Sequence, residues 1–218
     1  MMRRRNFVAC AGMMAASSAL LSSTLLHTQT QTPVTGSDYK KLDHPAPVDT
    51  PAGKIEVLEF FWYNCPHCHV FEPTLAAWVK QLPRDVVFKR VPIAFQDSFV
   101  PQQRLYYALE EMGLADKLHT KVFAAIHTDK QNLTRSEAIV DWVGRQGIDK
   151  AAFQAQFDSF STLTKASRAT QLQTAYQVNG VPAMGVAGRY YTDGDLAKTM
   201  DRVLQVVEYL ADNVRHGR

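Results

Sequence analysis

Two kinds of apolar pattern alternate along this chain. Ile55-Glu56-Val57-Leu58-Glu59-Phe60-Phe61-Trp62-Tyr63 is an almost unbroken run of β-branched and aromatic residues, the pattern of a central strand buried on both faces. Phe71, Leu75, Trp78, Val79 and Leu82 then recur at helical spacing. Pro73 must either kink that helix or sit in its first turns. Val86 to Val91 reads as a second strand. The unit is strand, loop, helix, strand, and a parallel crossover of this kind is expected to be right-handed.

Residues 98–178 change to helical periodicity, with helices expected at roughly 101–112, 115–127, 135–146, 149–157 and 160–177. Thr134-Arg135-Ser136-Glu137 fits a capping box ahead of Ile139, Val140 and Val143. Val181 to Tyr191 reads as a strand, a turn near Ala187-Gly188 and a second strand. Leu196, Met200, Val203, Leu204, Val207 and Leu210 form the apolar stripe of one C-terminal helix. Tyr39-Lys40-Lys41-Leu42 is a candidate edge strand.

The N-terminus is a separate object. Arg3, Arg4 and Arg5 precede an uncharged stretch from Phe7 to Leu26, the layout of an export signal. Its length also suits a retained membrane anchor. We assign 1–27 to the signal and 28–38, rich in Thr, Gln, Gly and Ser, to a linker. The formal charge is only +3 and no basic run follows the N-terminus, so composition does not suggest nucleic-acid binding. Of three cysteines, Cys10 falls within the signal, leaving Cys65 and Cys68. A bridge closing so short a loop would restrict the unfolded chain very little, so the pair asks for a chemical explanation.

Cys65-Pro66-His67-Cys68 sits where a buried strand enters a helix. The first sulfur there faces unpaired backbone N–H groups and the positive end of the helix dipole. Both favour the thiolate and pull its pKa below the free value of about 8.5. His67 can add a positive charge and donate to the Cys65 sulfur, and Pro66 suits the first helical position. A stabilised thiolate makes the disulfide oxidising and a good leaving group. The spacing alone also admits covalent haem, since Cys65-Pro66-His67-Cys68-His69 matches C-x-x-C-H, a zinc pair, or a structural staple. The strand-to-helix setting favours redox chemistry.

With these residues in place, the chain resembles the DsbA family of periplasmic disulfide oxidases. Leu58-Glu59-Phe60-Phe61, Cys65-Pro66-His67-Cys68 and Gly180-Val181-Pro182-Ala183-Met184 carry the resemblance, which spans about residues 39–212. That family is a standard instance of an acidic, oxidising cysteine. The resemblance implies an α/β, thioredoxin-like fold with an inserted α-helical domain. The thioredoxin-like part would be 39–97 and 179–218, and the insertion 98–178. It implies Cys65 as the solvent-facing nucleophile, Cys68 as its buried partner, and a cis Val181–Pro182 bond beside the sulfurs, with Val181 pairing an extended substrate. Glu59 would assist proton movement near Cys68, with Lys89 as its partner. No cofactor or metal is implied. Implied partners are unfolded cysteine-containing exported proteins and a quinone-linked membrane reoxidant of the DsbB type, with the protein a periplasmic monomer. A disulfide reductase or isomerase on the same fold is the second enzyme reading.

Overall fold

The computed structural model describes residues 31–217. The segment read as a signal, with Cys10, and the first residues of the expected linker lie outside the described residues. Within that linker, Val34 to Asp38 closes a turn: Asp38 N donates to Val34 O at 2.8 Å and Val34 N to the Asp38 carboxylate at 2.8 Å.

The elements run β1 (Lys40–Lys41), β2 (Ile55–Phe61), α1 (Pro66–Val79) and β3 (Val86–Pro92). After a 3₁₀ turn at Asp97–Phe99 come α2 (Val100–Glu111), α3 (Ala115–His127), α4 (Ser136–Arg145), α5 (Lys150–Phe157) and α6 (Phe160–Ala175). The chain ends with β4 (Ala183–Val186), β5 (Tyr190–Asp193), α7 (Gly194–Ala197) and α8 (Met200–Arg215). One sheet takes strands from both sides of the helical block, in the order β1-β5-β4-β2-β3. β2 and β3 are parallel and the other pairs antiparallel. This is an α/β, thioredoxin-like sheet with helices inserted between β3 and β4, the fold that the resemblance implied.

β2 is buried along its whole length because both sheet faces are covered. Ile55 and Val57 pack with Phe71 and Leu75 of α1 and with Val203, Val207 and Leu210 of α8. Leu58 and Phe60 join the core shared with the helical block, where the rings of Phe60 and Tyr176 lie 5.1 Å apart. Strand alternation therefore sends neighbouring side chains of β2 into different cores.

The β4–β5 hairpin is held against the end of α6. A Cβ on Gly185 would come within 2.4 Å of the Tyr176 ring, and the Tyr176 hydroxyl accepts from Gly188 N at 2.9 Å. Gly188 has φ +66° and lies against the Ala46 carbonyl, two reasons for glycine at one position. These contacts hold the hairpin that follows Val181–Pro182.

Two local expectations change. The capping box does not form: Thr134 N and Oγ1 both turn to Asn132 Oδ1, at 3.1 and 2.6 Å, and Arg135 occupies the N-cap with no side-chain bond. A local Asn side chain competes with the helix end for the same groups. The C-terminal stripe is carried by two helices. Lys198 takes φ 72° and Thr199 caps α8 by accepting from Arg202 N at 3.1 Å. Apolar periodicity continues across the break, so spacing alone does not reveal it. No helix among the described residues is long and apolar enough to cross a membrane.

Candidate redox site

α1 starts at Pro66, whose missing N–H falls where no intrahelical bond is made. Cys65 is its N-cap, with φ −79° and ψ 116°, and its Sγ accepts from Cys68 N at 3.4 Å. The two cysteines are free thiols. Cys65 retains 6% of its surface exposed, whereas Cys68 has none. The Val181–Pro182 bond is cis, and the Val181 carbonyl accepts from the Cys65 thiol at 3.3 Å. Strand, helix start and proline loop thus converge on one sulfur. Beside it lies a groove of about 360 Å³ lined by His67, Gly180, Val181, Pro182, Asp195 and Lys198 among others.

The two sulfurs differ sharply as acids. The Cys68 thiol, together with the Cys68 and His67 backbone N–H groups, pulls the Cys65 pKa down to about 6 against an opposing burial effect. Burial and the neighbouring sulfur push Cys68 far up. One thiol is therefore the natural thiolate and the other the natural proton holder. The expected hydrogen bond from the His67 ring is not made. The imidazole is exposed, and its charge is the last of the causes that lower Cys65. His67→Ala should accordingly raise the midpoint of Cys65 alkylation by less than about one pH unit, still below the roughly 8.5 of a free thiol. A midpoint near the free value would instead make the ring the main source of the acidity.

Glu59, 1% exposed, lies near enough to Cys68 for its charge to oppose ionisation there. Its partner is not Lys89 but Arg90, whose Nε lies 3.1 Å from Glu59 Oε2. The register explains the correction. Glu59 faces Arg90 across the parallel pair, while Lys89 stands opposite Leu58 and points to the other face, where it pairs with Glu56 at 3.0 Å. Burial raises the Glu59 pKa to about 8, with Arg90 opposing and Glu72 reinforcing the shift.

Several polar residues at this site were not singled out from the sequence. Glu72 is buried on α1 four residues after Cys68, hence on the same helix face. It takes Arg90 Nη2 at 2.8 Å and lies 3.3 Å from His119 Nε2. Burial tends to raise its pKa, but His119 and Arg90 together hold it below the usual carboxylate value. A carboxylate on the apolar stripe of α1 was the available signal. His119 carried none, because α3 reaches α1 only through the tertiary fold. His69, the last residue of the C-x-x-C-H match, is half-buried and stacked on His127 at 4.9 Å. Trp62 and Trp78, expected in the core, are each half-buried. The helical block also clamps the loop before Cys65. His127 Nε2 donates to Tyr63 O at 2.8 Å and Gln102 Nε2 to Asn64 Oδ1 at 2.6 Å.

The likeness to known proteins follows the same lines. A family described as the DSBA-like thioredoxin domain matches residues 82–207. The thiol:disulfide interchange protein DsbA of Bordetella pertussis is 47% identical over 182 residues, covering 84% of this chain and 86% of the relative. That of Burkholderia cepacia is 38% identical over 195 residues, covering 89% and 92%. Among solved structures, Pseudomonas aeruginosa DsbA superposes with a TM-score of 0.79 at 39% identity, covering 84% of this chain and 94% of that one. The oxidoreductase DsbA of Xylella fastidiosa gives 0.79 at 30% identity, covering 85% and 99%. These likenesses do not favour the haem, zinc, reductase or isomerase readings.

Proposed function

The chain belongs to the DsbA family of thiol:disulfide interchange proteins and is a thiol:disulfide oxidoreductase, and from that premise we propose that its Cys65–Cys68 disulfide is donated to reduced, unfolded proteins exported to the periplasm. The observation that carries this reading is the asymmetry of the two sulfurs, one acidic at a helix N-cap and one fully buried.

A substrate thiolate attacks Cys65 Sγ, the Cys65–Cys68 bond breaks, and Cys68 leaves as a buried thiolate. Glu59, holding a proton at neutral pH, supplies that proton to Cys68. A second substrate thiolate attacks the substrate sulfur of the mixed disulfide and Cys65 leaves as the thiolate its surroundings favour. Two electrons have passed to the Cys65–Cys68 pair, Cys68 holds the proton from Glu59, Glu59 regains one from solvent, and the substrate holds a new disulfide. Val181 offers backbone to an extended substrate beside Pro182, which has no N–H to give. Pro66 sets the helix start, and Lys89 has no part in the proton step. Reoxidation falls to a disulfide on a quinone-linked membrane protein of the DsbB type, and the oxidoreductase acts as a monomer.

A glutathione redox titration of the Cys65/Cys68 pair tests the direction of transfer. The expected potential lies well above the roughly −270 mV of a reducing thioredoxin. A value at or below that level would sink the oxidase reading.

A further inference from the structure

Behind the sulfurs runs a line of buried polar groups longer than thiol exchange requires. Glu59 Oε2, Arg90 Nε, Glu72 Oε2 and His119 Nε2 are all out of solvent, and none makes a well-aligned hydrogen bond. They fall into two facing pairs, Arg90 Nε with Glu59 Oε2 at 3.1 Å and His119 Nε2 with Glu72 Oε2 at 3.3 Å. The remaining contacts are made: Arg90 Nη2 donates to Glu72 Oε1 at 2.8 Å, and the Tyr63 hydroxyl meets His119 Nδ1 at 2.9 Å. The order is Tyr63, His119, Glu72, Arg90, Glu59, and Glu59 lies close enough to Cys68 to oppose its ionisation.

One arrangement of protons satisfies this line. Burial keeps the Tyr63 phenol protonated, so it donates to Nδ1. Burial also lowers the His119 pKa, so the ring is neutral and its single N–H sits on Nε2, facing Glu72. Glu72 then faces donors on both sides, Arg90 Nη2 in a made hydrogen bond and His119 Nε2 at 3.3 Å, whereas Glu59 faces only Arg90 Nε at 3.1 Å. One cation serves two buried carboxyl groups, and a net buried charge is costly. A proton is therefore retained by the group with fewer donors.

We propose that His119 is a positioning residue of the redox site: by donating to Glu72 it commits the Arg90 charge to Glu72 and keeps the shared proton on Glu59, behind Cys68. This rests on the reading that Glu59 serves Cys68, and it says how Glu59 comes to hold a proton. Other titratable groups bear on the line from each packed element. Tyr106 of α2, also kept neutral by burial, has its ring 5.7 Å from His119. Exposed Asp116 on α3 acts weakly on His119, and Cys68 of α1 feels the Glu59 charge. None of them donates to Glu72, so none substitutes for His119.

The test is carboxyl ¹³C NMR of the reduced full chain labelled at glutamate, with the two resonances assigned from Glu59→Gln and Glu72→Gln. The parent protein should show Glu59 titrating near 8 and Glu72 below the usual carboxylate range. His119→Leu should lower the Glu59 midpoint by about one unit or more and raise that of Glu72. His119→Gln should restore the parent pattern, because its amide N–H can donate to Glu72 while its oxygen accepts from Tyr63. Tyr63→Phe, the milder change, should shift both midpoints in the Leu direction by less. A purely structural His119 would weaken the fold in both His119 variants without exchanging acidity between the carboxyl groups. Unmoved midpoints in His119→Leu and Tyr63→Phe, or Leu and Gln variants that titrate alike, would overturn the proposal. The pH profile of dithiol oxidation by the disulfide form, expressed per thiolate, separates the two claims. A profile indifferent to a moved Glu59 midpoint counts against Glu59 as proton source and leaves the His119 assignment standing.

Discussion

Cys65→Ser should reduce oxidation of substrate thiols to the uncatalysed background, while Cys68→Ser should accumulate protein joined to its substrates through Cys65. The two outcomes differ because the sulfurs differ. Cys65 is the one with residual exposure, and its surroundings hold its pKa at about 6, so it is both the atom an incoming thiolate reaches and the better leaving group. A serine oxygen there cannot form the mixed disulfide, and the buried Cys68 cannot be reached in its place. With Cys68 absent, a mixed disulfide formed at Cys65 has no internal thiol to displace the substrate. Non-reducing electrophoresis of exported proteins from cells carrying each variant reads both effects. Adducts on the Cys65→Ser protein and none on Cys68→Ser would reverse the order of attack.

Glu59→Gln should remove a pH dependence of stability and slow the step in which Cys68 leaves. The folded pKa of Glu59 is raised to about 8 from an ordinary 4.5. Between those values the folded protein keeps a proton that the unfolded chain releases. The associated stability is full below the lower value and is lost as pH rises through the upper one, by up to about 1.4 kcal/mol per pH unit. Cys65 works in the opposite sense in the reduced protein. Its folded pKa is depressed, so its contribution is present at high pH and is lost as pH falls through about 6. The informative quantity is therefore the difference between parent and Glu59→Gln in urea denaturation from pH 4.5 to 8.5. The variant should gain on the parent steadily across that window. Parallel curves would mean that Glu59 does not carry the proton. Gln also has no acidic proton to give Cys68, so the same variant should oxidise dithiols more slowly near neutral pH.

The fold was legible because its determinants are local. The apolar run of β2, the helical spacing after Cys68, the five helices of the insertion and the hairpin after Pro182 each announce themselves through periodicity. The helix boundaries at Thr134 and Lys198 did not, because each depends on one side chain choosing between competing backbone groups. The site divided in the same way. Cys65, Pro66, His67 and Cys68 are adjacent in sequence, and a helix start was enough to suggest which sulfur is acidic. The His67 ring was given too large a part, since its orientation depends on rotamers that sequence does not specify.

What the sequence determined by itself is therefore the strand-to-helix setting of Cys65 and Cys68 and the elements that surround them. Which charge answers Glu59 was decided by the parallel register of β2 and β3, where a shift of one residue exchanges Arg90 for Lys89 and one face for the other. The roles open to Glu72, His119 and Tyr63 were likewise decided only when α3 packed on α1. Each of these side chains is ordinary in its own segment. Their properties arise from burial beside one another, and in a medium that solvates charge poorly the nearest partner decides which group keeps its proton.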